Sequence, residues 1–236
     1  MVRKVLCALD TGDLDEALTI VRRLGGVVGG FKIGHGLVLN NGLDVVDRLT
    51  EAGAQRVFLD LKFHDIPNSI ALAVREAAKR NVWMMTLHIS GGPGMLEAAV
   101  YEARAHSDSS PLLVGVSVLT SLDEHTLNKF VGVPGDVSAH MVKLSQHAMD
   151  CGLDGVVCSP NEISAIRKAI GRQGCIVVPG IRAESGATHD QSRVGTPQQA
   201  LADGADYLVI GRALTHSNDI DRALSELGFE TANGAR

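Results

Sequence analysis

Aromatic residues are scarce. Phe, Trp and Tyr make up 3% of the 236 residues, which leaves few flat faces on which bases could stack. Positive charge is not in excess either: 22 Lys and Arg stand against 27 Asp and Glu, a net charge of −5. No block of Lys and Arg offers a surface for counterion release, so a nucleic-acid partner is not expected, which still leaves room for phosphate at one local site. Long apolar runs are missing. The basic start, Arg3-Lys4, leads into an apolar run that ends at Asp10, too short for a signal-peptide core. The longest uncharged stretch, 81–96, is broken by Gly91-Gly92-Pro93-Gly94, so no membrane span is expected. Cysteine is limited to Cys7, Cys151, Cys158 and Cys175, with no C-x-x-C pair. Free thiols in a reducing compartment are expected rather than disulfides or zinc, and with them a cytoplasmic location. The H-E-x-x-H, G-x-x-x-x-G-K-[ST] and G-x-S-x-G patterns are absent, which removes the motif-based case for a zinc peptidase, a P-loop protein or a serine hydrolase.

What is present is a repeat of short apolar runs. Strands are predicted at Val5–Leu9, Val27–Ile33, Arg56–Leu61, Val82–His88, Leu112–Val118, Gly155–Cys158, Cys175–Pro179 and Tyr207–Ile210. Most are continuously apolar, as strands covered by helices require. Helical patterns alternate with them at Asp13–Leu24, Leu37–Ala52, Ile66–Arg80, Met95–Ala105, Val137–Cys151, Asn161–Ile170, Thr196–Ala202 and Asp219–Leu227. Eight such units average about 30 residues each, an ordinary βα length. No Pro/Ser-rich linker divides the chain. The pattern predicts an α/β fold, a (β/α)8 TIM barrel, forming a single catalytic domain over residues 1–236. An open doubly wound sheet would favour G-x-G-x-x-G after the first strand; the chain has Asp10-Thr11-Gly12-Asp13 there.

In a barrel the chemistry sits where strands end and βα loops begin. Those positions hold Asp10, Lys32, Asp60 with Lys62, His88, Thr120, Ser159, Pro179 to Arg182, and Gly211-Arg212. The third strand is the most informative. Alternation sends Val57, Leu59 and Leu61 toward the helices and Phe58, Asp60 and Lys62 into the barrel. A carboxylate and an ammonium thus share the inner face near its top, with Lys32 on the neighbouring strand. An Asp–Lys pair in one strand also suits a plain ion pair, and Asp65 suits a helix start. Buried ion pairs add little stability over apolar packing, so the residues alone leave catalysis and structural pairing both open. Arg182 and Arg212 follow the seventh and eighth strands, where barrels commonly bind phosphate. The segment from Gly180 to Arg193 is long for a βα loop, as functional lids are.

The run Asp60-Leu61-Lys62-Phe63-His64-Asp65-Ile66-Pro67-Asn68 resembles the D-x-K-x-x-D-I-P-N signature of the orotidine 5′-monophosphate decarboxylases. Ala8-Leu9-Asp10, Phe31-Lys32-Ile33-Gly34, Val118-Leu119-Thr120-Ser121, Pro179-Gly180-Ile181-Arg182, Asp190-Gln191 with Arg193, and Val209-Ile210-Gly211-Arg212 are similar to the family's other motifs, in family order and spacing. The resemblance implies a homodimeric barrel that converts orotidine 5′-monophosphate to UMP and CO2, the last step of de novo pyrimidine biosynthesis, with no metal or organic cofactor. It implies that Lys32, Asp60, Lys62 and Asp65 form an alternating charged network, with Asp65 reaching the site of the other subunit. It implies substrate contacts from Asp10, Lys32, Ile66, Ser69, Thr120, Arg182, Gln191, Gly211 and Arg212. The family commonly has Thr after Pro-Asn; this chain has Ser69, which keeps the hydroxyl.

Two other readings compete. A sugar-phosphate decarboxylase or hexulose-phosphate synthase of the same superfamily shares the D-x-K-x-x-D strand but works on Mg²⁺, and resembles its kin in carrying Glu where this chain has Lys32. A cation there would repel the metal. A non-catalytic phosphate-ligand barrel should have lost part of the charged network, and none of it is missing.

Overall fold

Eight strands lie side by side in chain order, and the eighth closes on the first. The computed structural model describes residues 2–105, 110–182 and 195–230. The strands are β1 (Val5–Leu9), β2 (Gly30–Ile33), β3 (Val57–Phe63), β4 (Met84–His88), β5 (Leu112–Val116), β6 (Gly155–Val157), β7 (Cys175–Val178) and β8 (Tyr207–Ile210). All neighbours are parallel, and the seam pairs Leu6 with Val209 and Cys7 with Ile210. The outer layer contains α1 (Leu14–Leu24), α2 (His35–Asn41), α3 (Val45–Glu51), α4 (Pro67–Lys79), α5 (Pro93–Ala105), α6 (Glu124–Thr126), α7 (Val137–Asp150), α8 (Ile163–Ile170), α9 (Pro197–Ala202), α10 (Arg212–Thr215) and α11 (Ile220–Glu226). This is the (β/α)8 barrel that the run of alternating elements predicts. No helix of the described residues is long and apolar enough to cross a membrane.

Strand alternation makes two cores. Odd-numbered residues of the first strands, Val5, Cys7, Leu9, Ile33, Val57 and Leu59, pack outward against helix side chains such as Val21, Leu24, Leu49 and Val74. Leu6, Ala8, Phe58, Met84, Val114, Val177 and Val209 fill the barrel itself. Each fully buried aliphatic side chain of this kind contributes about 1.5–3 kcal/mol. The four cysteines are free. Burial, and then Asp10, pushes the Cys7 thiol up to about 12; burial, then Asp206 and Asp154, does the same for Cys175. Both are held as neutral thiols. Strand β6 can sit against β7 only because residue 155 is glycine: a Cβ there would lie 2.2 Å from the Cys175 carbonyl oxygen.

Several boundaries differ from the sequence expectation, each for a local reason. The predicted helix over 37–52 is two helices. Gly42 takes φ +72° and ends α2, and the Asn41 amide turns back to donate to the carbonyls of Leu37 and Gly12. The second strand begins at Gly30 rather than Val27, because the N–H groups of Val27 and Val28 both donate to the Leu24 carbonyl and continue the turn after α1. The short helices α6 and α10, and a π-helical turn at Leu127–Val131, were not expected.

The end of the barrel where strands begin is fastened by a repeated device. Asp154, one residue before β6, accepts the Leu113 N–H at 2.8 Å, and Asp206, one residue before β8, accepts the Ile176 N–H at 2.8 Å. Arg104 pairs with Asp154 and Arg167 with Asp206. The Arg167 guanidinium also donates to the carbonyls of Gly171, Gly174 and Gly204, tying three loops together. Asp206→Ala removes the acceptor for a strand amide and the anchor of that guanidinium. It is expected to lower stability by about 1.5–3 kcal/mol, the range for hydrogen bonds to charged groups. Urea unfolding measures the loss, and a change below about 0.5 kcal/mol, the scale of ordinary surface substitutions, would show that Arg167 holds the loops unaided.

Candidate active site

At the opposite end, where strands finish, the inner face turns from apolar to charged. Ala8 stands level with Lys32, and Lys32 with Phe58. The next inward positions on β3 and after β1 are Asp60 and Asp10. Their charges alternate in space. Lys32 Nζ lies 3.1 Å from Asp10 Oδ1 and 3.5 Å from Asp60 Oδ2, and Lys62 Nζ lies 3.0 Å from Asp60 Oδ1. The Lys32 and Asp60 side chains are only 12% and 13% exposed, whereas Asp10 is 67% exposed at the rim. Burial pushes the Asp60 carboxyl up, but Lys32, then Lys62, with hydrogen bonds from Lys62 and Thr86, outweigh it and hold the group below its ordinary value. Asp60 is thus an ionised carboxylate between two ammonium groups.

Lys62 reaches this position through a local distortion. Leu59 pairs with Met85 and Phe63 with Leu87, so four steps along β3 match two along β4. Lys62 takes φ +51°, a left-handed conformation for a residue with a Cβ. The amide displaced from the ladder donates instead to Thr86 Oγ1 at 2.8 Å, and that hydroxyl donates to Asp60 Oδ1 at 3.0 Å. Plain alternation predicts Asp60 and Lys62 on the inner face. The side chains are there, but the strand bulges to carry them.

The cavity above these residues has a volume of about 310 Å³. Its floor is Ala8, Phe58, Val157, Val177 and Val209, and the rest of its lining includes Thr120, Gly180, Arg182, Gly211 and Arg212. Gly180 takes φ +78°, turning the chain sharply after β7. Beyond it, Arg182 N–H donates to the Gly195 carbonyl at 3.0 Å and Gly195 N–H donates to the Gly180 carbonyl at 3.3 Å. A second recess shares Asp10, Lys32, Asp60 and Lys62 and extends over Thr11, Gly12 and His35.

Of the residues expected at a site, Asp10, Lys32, Asp60, Lys62, Thr120, Arg182, Gly211 and Arg212 line one cavity. Asp65, Ile66 and Ser69 do not line the cavity of their own chain. Asp65 is exposed and its Oδ1 accepts the Ile66 N–H at 2.6 Å, while Ile66 is 66% exposed at the start of α4. Gln191 lies outside the described residues. His88 ends β4 half-buried, its ring centre 5.3 Å from that of His64. Burial first, then His64 and Lys62, lower its basicity. Thr86 was not singled out from sequence. The signal available was a lone hydroxyl on the inward register of Met84-Met85-Thr86-Leu87-His88.

The arrangement sets two fixed cations and an ionised carboxylate on one side of a half-enclosed cavity and two guanidinium side chains on the other. It suits a ligand with a distal anionic group and a reacting centre that develops negative charge. A carboxyl held below its unfolded value of about 3.9 stabilises the fold above that pH and loses this contribution as the pH falls through its folded value. Asp60→Asn is therefore expected to be less stable than the wild type above about pH 4, with a gap that narrows below it. Urea unfolding at neutral pH and at pH 3 compares the two. A gap independent of pH would show that Asp60 does not supply the acid-labile stability.

A family profile described as Orotidine 5′-phosphate decarboxylase / HUMPS matches residues 3–227. The chain is 46% identical over 215 residues to the orotidine 5′-phosphate decarboxylase of Chromobacterium violaceum, covering 91% of this chain and 86% of that one. It is 44% identical to the enzyme of the same name from Dichelobacter nodosus, covering 94% and 96%. The crystal structure of orotidine 5′-phosphate decarboxylase from Lactobacillus acidophilus superposes with a TM-score of 0.83 at 31% identity, covering 95% of this chain and 96% of that one. On these similarities, over nearly the whole chain and in its three-dimensional course, the chain belongs to the orotidine 5′-phosphate decarboxylase / HUMPS family.

Proposed function

We infer that this protein is a carbon–carbon lyase that decarboxylates orotidine 5′-monophosphate to UMP in pyrimidine biosynthesis. The observation that carries the reading is the Asp10–Lys32–Asp60–Lys62 chain of charges lining one cavity with Arg182 and Arg212, in a sequence 40–46% identical to relatives with that name. Breaking the bond from C6 of the pyrimidine to its carboxylate leaves an electron pair in the ring plane, where the π system cannot delocalise it. The pair needs a fixed positive charge beside it and then a proton. Lys62 supplies both: its ammonium faces C6, the C6–CO2 bond breaks with its electrons retained on carbon, and Nζ–H passes a proton to C6. Water returns the proton to Lys62. Asp60 holds the Lys62 Nζ at 3.0 Å before the reaction and so fixes where its charge and proton lie. The charges stand in place beforehand, so little reorganisation accompanies bond breaking.

We assign the phosphate to Arg182, Gln191 and Arg212, with Thr120 and the Gly211 backbone as further contacts. Binding energy from this distant group helps to hold C6 against Lys62. The Mg²⁺ used by sugar-phosphate relatives does not fit here. Asp60 already has Lys62 at 3.0 Å and Lys32 at 3.5 Å, and a third cation on the same carboxylate would be repelled. The reaction proposed uses no cofactor. The four free cysteines support a cytoplasmic setting, and we treat residues 1–236 as one catalytic domain. Loss of orotidine 5′-monophosphate absorbance on adding the protein, undiminished in excess EDTA, is the expected result. A rate that collapses in EDTA and recovers with Mg²⁺ would move the protein to the sugar-phosphate branch. Lys62→Ala is expected to remove nearly all turnover; a variant within tenfold of wild type, about 1.4 kcal/mol, would exclude Lys62 as the proton donor.

We also propose a homodimer in which Asp65 serves the partner's site. Asp65 and Ile66 are exposed beyond their own cavity, and Leu72 on α4 and Tyr101 on the adjoining α5 leave further large apolar side chains exposed. In a twofold dimer each Asp65 meets the other barrel. Lys62→Ala and Asp65→Ala homodimers should each be nearly inactive. Mixed equally and exchanged, half the dimers become hybrids with one intact site, so roughly a quarter of wild-type activity should return. No return, with hybrids confirmed by mass spectrometry, would place Asp65 in its own chain's site or outside catalysis.

A further inference from the structure

Thr86 is a buried polar residue, 1% exposed, on a strand whose other residues are two methionines, a leucine and a terminal histidine. Its hydroxyl has an unambiguous direction. The Lys62 amide can only donate, so Oγ1 accepts from it at 2.8 Å. The Asp60 carboxylate, being ionised, can only accept, so the hydroxyl proton points to Oδ1 at 3.0 Å. The same Oδ1 takes the Lys62 ammonium at 3.0 Å. Backbone and side chain of Lys62 therefore close a ring through Thr86 and Asp60. This happens where the β3–β4 ladder slips and Lys62 sits at φ +51°, a conformation that persists only when its surroundings hold it.

We propose that Thr86 is a positioning residue for decarboxylation: its hydroxyl replaces the ladder bond lost at the bulge and so fixes both the backbone of Lys62 and the oxygen of Asp60 that receives its ammonium. It is not among the residues lining the cavity. The inference rests on the decarboxylase reading of the same site. Without the hydroxyl, the Lys62 amide is left buried and unpaired, and the bulge can relax toward the regular ladder. Such a relaxation turns the Lys62 side chain. The phosphate end, on β7 and β8, is built from other elements and does not depend on this ring. The effect should therefore fall on turnover and spare affinity.

Thr86→Val keeps the branched shape and removes the hydroxyl; Thr86→Ser keeps the hydroxyl and removes the methyl. Both are assayed beside the wild type with orotidine 5′-monophosphate, with UMP affinity measured by titration and folding checked by circular dichroism. The expected result is a fall in kcat of about thirtyfold or more for Thr86→Val, with KM and UMP affinity within about threefold, and kcat of Thr86→Ser within about threefold of wild type. Should Thr86→Val fail to fold, Thr86→Ala, which also lacks the hydroxyl but relieves the packing, is read on the same criteria. A folded hydroxyl-free variant with wild-type kcat would overturn the proposal, and so would Thr86→Ser losing as much as Thr86→Val. A wild type inactive on this substrate would overturn the decarboxylase reading and this inference with it.

Discussion

A carboxylate held under two ammonium groups at the mouth of a barrel is the constraint on which the rest of this structure turns. Removing Asp60 from water is costly unless opposite charges and hydrogen bonds compensate it. The cost is met by geometry: Lys62 at 3.0 Å, Lys32 at 3.5 Å and a hydroxyl at 3.0 Å surround the two oxygens. The network adds little to stability compared with apolar packing, so its retention inside the barrel points to work done on a ligand. Below it the inward positions are Ala8, Phe58, Val177 and Val209. That floor keeps water from screening the charges from beneath, which strengthens their effect on whatever lies above.

The same constraint explains the irregularity of β3. A parallel strand aligns its inward residues about two positions apart along the barrel wall, and a regular strand would lift Lys62 a full step above Asp60 on a straight wall. The slip between Leu59 and Phe63 gathers that segment, and the left-handed Lys62 brings its ammonium back onto Asp60. Bulges of this kind re-aim a side chain beside a functional site. The distortion leaves an amide without a ladder partner, and the adjacent strand must answer with a side-chain acceptor. Thr86 is that answer.

Much of this was legible in the sequence. Continuous apolar runs at regular spacing indicated parallel strands under helices, and charges at strand ends indicated which end carries the chemistry. Alternation within Arg56 to Lys62 separated inward from outward residues correctly. Three features were less legible, for distinct physical reasons. Helix 37–52 kept its apolar periodicity through Gly42, so the break depended on a backbone angle that periodicity does not register. The bulge was invisible because alternation of side chains survives it while the pairing register does not. Thr86 acts through a contact 24 residues away in sequence, and a single hydroxyl in a strand gives no sign of what it meets. Asp65 is a different case. Its part in the motif comes from resemblance, and its carboxylate accepts the Ile66 amide at the start of α4.

The scarcity of aromatic residues also has a structural meaning. The one Trp and one of the two Tyr stand together at the closed end of the barrel, where Trp83 meets Tyr207 edge to face at 5.2 Å and the Arg56 guanidinium covers Trp83 at 4.8 Å. Large rings block that end, below Leu6 and Met84. Among the described residues no comparable plug lines the other end, where Lys, Asp and Arg side chains surround the cavity. A ligand entering there passes the charges. Its charged network lies on β1 to β3, and its guanidinium wall follows β7 and β8. In a closed barrel β8 adjoins β1, so the two groups meet at Asp10 and Gly211 and diverge from there around the mouth. A ligand gripped at both ends must bridge that arc, which orients it and leaves only one end beside Lys62.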